Sequence, residues 1–344
     1  MMMSVSVVIP AYNAGAFIED AIGSVLMQDW PADEIIIVND GSRDQNYDSL
    51  KALASNIRVI NQPNRGVSAA RNVGFNAANG TYVAILDADD VWLPGKLRAQ
   101  MEYLTQSPQT DAVFCLGRVW KPAAGGTTWA KPTDLNPIPQ ERIEIMQLHY
   151  RDWLYGLPVA NPTMVVKKQV WKAMGGYDEN KRFAEDTDFN LRLSRTYRVD
   201  LIRLVGMLYR KHTQNATTRL QDRNYWAEAV SSAIATFGYI DDSGVAADPA
   251  RVRKYLADIH FLHGHDHFWR GRPPIARHEF WRAFKLNPLH PKTIAYLITV
   301  AVPGLAPIFR RQRHNIRRLL TSVSRVIHPG VVKPGGIEDS EDPT

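Results

Sequence analysis

Tyr82-Val83-Ala84-Ile85-Leu86-Asp87-Ala88-Asp89-Asp90 reads as a short buried strand that breaks off on three carboxylates. A run of apolar residues this short, bounded by polar turn formers, fits a strand with both faces covered. Runs of the same kind recur on either side, at Val5 to Ile9, Glu34 to Val38, Ile57 to Ile60 and Ala112 to Leu116. Between them lie segments with helical periodicity near Ala16 to Met27, Tyr47 to Ala54, Val67 to Ala78 and Pro94 to Thr105. Strand and helix in alternation predict an α/β fold, a mostly parallel sheet covered by helices, with room in every connection for a right-handed crossover.

Beyond this frame, Lys121 to Pro139 is rich in Pro, Gly and Thr and reads as an excursion from the sheet. The pattern resumes at Thr163 to Val166, then a helix at Gln169 to Met174, a Gly175-Gly176 stop and a helix after Asp186. One α/β domain is expected over residues 1–215. A helical region, 216–309, follows, with helices at Tyr225 to Phe237, Pro249 to His263 and Ile275 to Leu286. The last two read as a hairpin joined at Gly271-Arg272-Pro273-Pro274. Residues 310–344 begin with Arg310, Arg311, Arg313, Arg317 and Arg318 and end in an acidic, Pro/Gly-rich tail expected to be disordered.

With 344 residues, 45% hydrophobic and 22% charged, collagen-like, coiled-coil and mostly disordered classes are excluded. The formal charge of +6 suits an anionic small ligand, an acidic membrane or nucleic acid alike. A single cysteine, Cys115, precludes an intrachain disulfide and a thiolate metal cluster and points to a reducing compartment. The N-terminal Met1-Met2-Met3 leads directly into the first strand without a basic segment, so no signal peptide is expected and the predicted location is cytoplasmic. Thr293 to Phe309 is apolar but interrupted by Pro303, Gly304 and Pro307, too short for a membrane span. Followed by the arginines, it reads as an interfacial anchor for the cytoplasmic face of an anionic membrane. No nucleic-acid-binding module accompanies the basic run.

In open α/β sheets ligands sit beyond the carboxyl ends of the strands. Those ends carry Pro10-Ala11-Tyr12-Asn13, Asn39-Asp40-Gly41-Ser42, Pro63-Asn64-Arg65-Gly66 and Asp87-Ala88-Asp89-Asp90, which should converge on one crevice. Crowded carboxylates at a sheet edge need a compensating cation, and oxygen donors favour Mg²⁺ or Mn²⁺, ions that commonly accompany a diphosphate. Glycine-rich dinucleotide and triphosphate loops are absent, so basic side chains must help, and Arg71 is placed to reach a phosphate or base. Histidines 260, 263, 265 and 267 with Asp266 read as helix packing rather than a metal site. Trp120, Trp129 and Trp153 lie where an acceptor would dock, with packing as the alternative role.

Taken together, Ser6-Val7-Val8-Ile9-Pro10-Ala11-Tyr12-Asn13, Ile37-Val38-Asn39-Asp40-Gly41-Ser42, Asn64-Arg65-Gly66, Ala70-Arg71-Asn72-Val73-Gly74, Leu86-Asp87-Ala88-Asp89-Asp90 and Gly175-Gly176-Tyr177-Asp178-Glu179 with Glu185-Asp186-Thr187-Asp188 closely resemble the family 2 glycosyltransferases. That resemblance, over roughly residues 4–215, implies the GT-A nucleotide-sugar-binding fold and transfer from a nucleotide-sugar donor, by family default a UDP-sugar, to a glycan or lipid-linked acceptor. It implies that Pro10, Tyr12 and Asp40 hold the nucleoside and that Arg71 faces the nucleotide. Asp87 and Asp89 of the Asp87-Ala88-Asp89 motif would bind metal, Asp186 would be the catalytic base, and His212 with its basic neighbours would approach the diphosphate. The Gln-x-x-Arg-Trp motif of processive synthases is missing, which favours transfer of one sugar. The rival readings are a nucleotidyltransferase and a non-catalytic nucleotide-sugar or membrane-binding protein on the same fold.

Overall fold

The computed structural model describes residues 3–121, 129–136, 144–215, 218–302 and 304. In chain order the elements are β1 (Val5–Ala11), α1 (Ile18–Leu26), β2 (Glu34–Asp40), β3 (Ile57–Gln62), α2 (Val67–Ala77), β4 (Tyr82–Ile85), β5 (Val91–Trp92), α3 (Lys96–Gln106) and β6 (Ala112–Trp120). They continue with β7 (Ile145–Leu148), α4 (Tyr150–Leu154), β8 (Val165–Lys167), α5 (Lys168–Ala173), α6 (Glu185–Thr196), β9 (Val199–Arg210), α7 (Tyr225–Phe237), α8 (Pro249–Trp269), α9 (Pro273–Leu286) and α10 (Pro291–Ala301). The segment expected as a helix near Tyr47 is a 3-10 helix, Tyr47–Leu53, capped by the Asn46 side chain accepting from Asp48 N.

The strands form one sheet in the order β3-β2-β1-β4-β8-β6-β9-β5, with β7 also paired to β9. Pairs β1/β2, β2/β3, β1/β4 and β6/β9 are parallel, whereas β8 runs antiparallel to both β4 and β6. The chain moves outward from β1 through β2 to β3 and then returns to the other side of β1 with β4. That reversal is the topological switch that opens a crevice beyond the carboxyl ends of β1, β2 and β4. All seven residues of β1 are buried, and its one polar side chain, Ser6, donates to Glu34 Oε1 at 2.7 Å.

Two apolar layers cover the sheet. On one face Ile18, Ile22, Leu97 and Met101 of α1 and α3 pack under Val7, Ile9, Ile35 and Ile37. On the other, Val8, Ile36 and Val83 meet α2, α5 and α6, and Ala227, Val230, Val252 and Leu256 of α7 and α8 join the same core. The second half of α8 forms a smaller cluster with α9 and α10 around Phe261, Phe268, Phe280 and Tyr296. The expected hairpin is therefore present as α8 and α9, with α10 packed against it. Gly74 lets α2 lie close on β1, since a Cβ there would fall 2.3 Å from a Val8 methyl.

Lys96 is fully buried, its Nζ 3.8 Å from the Trp92 ring centroid and 2.7 Å from Gln100 Oε1. Burial pushes this amine down to about 8. Unfolded chains keep a lysine protonated to about pH 10.4, so between these two values the unfolded state binds more protons and stability rises with pH. Urea unfolding at pH 7 and pH 10 should show wild type gaining about 2 to 3 kcal/mol from this group. Lys96→Met should lack that rise.

Candidate active site

The loop after β4 is fixed from both ends. Directly after Asp90, β5 pairs antiparallel with β9, Val91 opposite Leu208 and Trp92 opposite Met207. This register sets the three carboxylates beside Arg210 at the end of β9, where Arg210 N donates to Asp90 Oδ1 at 2.9 Å and its Nε to Asp89 O at 2.9 Å. Arg210 Nη2 reaches Asp20 Oδ2 of α1 at 2.8 Å. The guanidinium is sandwiched among Phe17, Trp120 and Trp129, at 5.1, 4.6 and 5.1 Å from the ring centroids. Arg210 is thus a buried strut rather than an open phosphate contact. Trp120 and Trp129 pack on it, and Trp153 lies in the core against Phe114.

His212 lies where it was expected, at this edge. Its Nδ1 accepts from Gln214 N at 3.2 Å, which leaves the proton on Nε2 to donate to Asp89 Oδ2 at 3.0 Å. Asn215 Nδ2 donates to the same oxygen at 3.1 Å, and the imidazole stacks on Phe17 with centroids 4.4 Å apart. Asp89 is therefore oriented by two donors. Asp90 Oδ2 is buried without a hydrogen-bond partner. Burial, then the charges of Asp89 and Asp87, holds its carboxyl well above the usual range.

Asp87 stands across from this group. Its Oδ1 accepts from Arg71 Nη2 at 2.9 Å, while Arg71 Nη1 donates to Glu185 Oε1 at 2.6 Å. Arg71 is only 4% exposed, so the expectation that it faces a phosphate needs correction: its fork is spent on two carboxylates, and Nε has no partner. Burial opposes the charge on Arg71, but Asp87 and Glu185 more than offset this and hold the guanidinium above its ordinary range. Burial likewise raises Asp87 and Glu185 against the pull of Arg71, with Asp89 adding to the first and Asp186 to the second. The next residue on α2 completes the bracket, as Asn72 Nδ2 donates to Tyr177 O and Tyr177 N donates to Asn72 Oδ1, both at 2.9 Å. Gly176, with φ 73°, belongs there because a Cβ would sit 2.6 Å from Asn72 Oδ1.

Ala184 takes the left-handed conformation, φ 56°, and turns the chain into α6, so Glu185 and Asp186 occupy its first turn. Glu185 is buried on Arg71, whereas Asp186 is half-buried. Asp186 Oδ1 accepts from Thr187 N at 2.6 Å and Thr187 Oγ1 at 3.3 Å, leaving Oδ2 without a hydrogen bond among the described residues. Tyr255 of α8 lies in the electrostatic neighbourhood of Asp186; burial first, then the charge of Asp186, raises its hydroxyl to about 12. Nothing in the sequence pointed to Tyr255, because a tyrosine on a distant helix carries no motif.

Beyond β1, Tyr12 is 53% exposed, with Pro10 buried behind it. Asp40 is 3% exposed; its Oδ1 accepts from Gln62 Nε2 at 2.7 Å and Arg65 N at 2.8 Å, and Oδ2 from Gly66 N at 2.9 Å. Asp40 therefore first shapes the loop after β3, and a base N–H would have only Oδ2 to share.

A divalent cation would find oxygen donors here. Asp87 and Asp89 each have one carboxylate oxygen outside the bonds above, and the buried Asp90 Oδ2 has no hydrogen-bond partner at the same edge. Such hard oxygen donors fit Mg²⁺ or Mn²⁺. Among the described residues, a group of three carboxylate and imidazole donors all within 4.8 Å of one another occurs instead at His149, Asp241 and Asp242. There Asp241 already pairs with Arg151 and accepts from Ser243 N and Val245 N, so its charge is met within the chain. The histidines of α8 are engaged in packing contacts: His260 Nδ1 lies 2.8 Å from Glu279 Oε2, His263 and His267 both reach Gln221 O, and His265 Nε2 accepts from Trp269 Nε1.

Residues 6–165 match the model of glycosyl transferase family 2. The chain is 32% identical over 231 residues to the uncharacterised glycosyltransferase EpsJ of Bacillus subtilis, covering 63% of this chain and 64% of EpsJ. It is 40% identical over 133 residues to the uncharacterised glycosyltransferase YibD of Escherichia coli, covering 38% of each. TuaG of Bacillus subtilis, a putative teichuronic acid biosynthesis glycosyltransferase, is 42% identical over 106 residues, 30% of this chain and 42% of TuaG. The chain thus spans less than two thirds of these relatives. Its fold matches that of S. aureus TarS residues 1–349 in complex with UDP-GlcNAc, with a TM-score of 0.59, 18% identity and 92% of each chain covered.

Proposed function

We propose that this protein is an inverting, metal-dependent glycosyltransferase that moves one sugar from a nucleotide-diphosphate sugar to a hydroxyl of a glycan or lipid-linked acceptor in polysaccharide synthesis. UDP is the preferred nucleotide in this reading, since TarS has been crystallised with UDP-GlcNAc and with UDP. The observation that carries it is the Arg71 bridge. One buried guanidinium joins Asp87 on the donor side to Glu185, the neighbour of Asp186, and so sets a metal-binding carboxylate and a base across one cleft.

Tyr12 offers an exposed ring for the base, and Asp40 keeps the adjoining loop in place. Asp87 and Asp89 would hold Mn²⁺ or Mg²⁺, which when bound supplies charge to the departing diphosphate. His212 and Asn215 orient Asp89 for that task. Asp186 takes the proton from the acceptor hydroxyl as that oxygen attacks the anomeric carbon, and attack opposite the leaving group inverts the configuration. Residues 1–215 supply all of these groups, with α8 closing on the base side.

The test is incubation of the protein with Mn²⁺, a glycan or lipid-linked acceptor and, in parallel, a panel of nucleotide sugars and a panel of nucleoside triphosphates, followed by phosphorus NMR. A nucleoside diphosphate should appear from one sugar donor. Pyrophosphate released from a nucleoside triphosphate would instead establish a nucleotidyltransferase.

A further inference from the structure

The third helix of the C-terminal cluster carries apolar residues on both faces, with Leu297 and Val300 packed inward beside Tyr296. α10 turns Thr293, Tyr296 and Thr299 inward, each under 7% exposed, with Tyr296 packed against Phe261 and Phe280. Its outward arc is apolar: Ile294, Ile298 and Val302, one turn apart, are 37%, 55% and 44% exposed, and Leu289 in the preceding turn is 88% exposed. On a helix with one face in water, that outer face would carry polar and charged residues instead. Lys292 is the only charged residue of α10, and Lys285 lies exposed near the end of α9. An exposed apolar strip of this kind marks a contact surface.

We propose that the outer arc of α10 is the surface by which this protein lies on an anionic lipid bilayer. Charge selects this occupant. The sequence after α10 continues with Leu305, Ile308 and Phe309 and then Arg310, Arg311, Arg313, Arg317 and Arg318, residues outside the described part of the structure. Apolar residues beside a block of arginines are the composition that anionic headgroups attract, the apolar side entering the acyl boundary and the cations remaining at the phosphates. No helix of the described residues is long and apolar enough to cross a membrane, so the contact is with its surface. The inference deepens the proposed function, in that a bilayer is where a lipid-linked acceptor would be presented. It rests on that reading only for the acceptor, since vesicle binding is measured without any transfer.

The experiment uses the full chain with Ile298→Cys labelled by a polarity-sensitive dye; the native Cys115 is fully buried and leaves position 298 as the reactive site. Vesicles are phosphatidylcholine alone or mixed with phosphatidylglycerol. The chain should sediment with the mixed vesicles, less so as salt is raised, and the dye should shift to the blue on binding. Ile294→Asp/Ile298→Asp, two changes at exposed positions, should lower partitioning by about tenfold or more while nucleotide binding and circular dichroism stay as in wild type. Three outcomes overturn the proposal. One is no partitioning, and another is partitioning that the double variant leaves unchanged, which would assign the contact to the arginines alone. The third is a blue shift that needs no lipid and tracks a dimer in light scattering, which would make the arc a contact between two copies.

Discussion

Asp186→Asn should lower the rate of sugar transfer by about 10² to 10⁴-fold while leaving the affinity for the nucleotide sugar unchanged. A general base works only in the transition state, so its loss appears in kcat and not in donor binding. The geometry distinguishes Asp186 from its neighbour. Glu185 is buried and hydrogen-bonded to Arg71, whereas Asp186 is half-buried with Oδ2 free of hydrogen bonds among the described residues. The Asn side chain can still accept from Thr187, so the turn should survive. Single-turnover kinetics with bound donor, beside calorimetric donor affinity, separate the two effects. Full activity in Asp186→Asn together with inactive, folded Glu185→Gln would move the base to Glu185.

Arg71→Met should cost about 3 to 5 kcal/mol of folding free energy, because removing one member of a buried ionic set leaves the rest uncompensated. Arg71 is 5% exposed in its side chain and stands between Asp87 and Glu185, with Tyr177 and Asp186 next in line. Without it the carboxyls of Asp87 and Glu185, already raised by burial, must take up protons. In the variant their folded pKa values lie above the unfolded ones, so the folded state binds more protons and stability falls as pH rises. The deficit against wild type should therefore be larger at pH 8 than at pH 5, as measured by urea unfolding at both. Arg71→Lys should recover only part of the loss, since one ammonium lacks the planar fork that reaches two carboxylates. A deficit that did not change with pH would mean that Arg71 acts through packing alone.

The strands that position the site are legible because β1, β2, β4 and β6 are built mainly around β-branched and apolar residues, the pattern of strands covered on both faces. β5 and β7 escaped notice for physical reasons. β5 has two residues, and three of the four in β7 are exposed, so neither carries a hydrophobic period. The antiparallel setting of β8 is a matter of topology, which local pattern does not encode. α10 was hidden inside Thr293 to Phe309 because its inner and outer faces both carry apolar residues, which blurs the helical period.

For the site, Asp87, Asp89, Asp186 and His212 stand out because each follows a strand or opens a helix. Their partners do not. That Arg71 spends its charge on Glu185, 114 residues away, and that Asp20 and Phe17 of the α1 region meet Arg210, are facts of tertiary packing. The same holds for Asp40, whose oxygens are engaged by Gln62, Arg65 and Gly66.

Isothermal titration of UDP, GDP, CDP and dTDP into the full chain, with and without Mn²⁺, tests the central claim most directly. Tight binding of one nucleoside diphosphate, UDP in the proposed reading, should require Mn²⁺ and be lost or strongly weakened in Asp89→Asn, with the fold intact. Binding of no nucleotide under any of these conditions, or binding indifferent to both Mn²⁺ and Asp89, would contradict a metal-assisted nucleotide-sugar site at the end of β4.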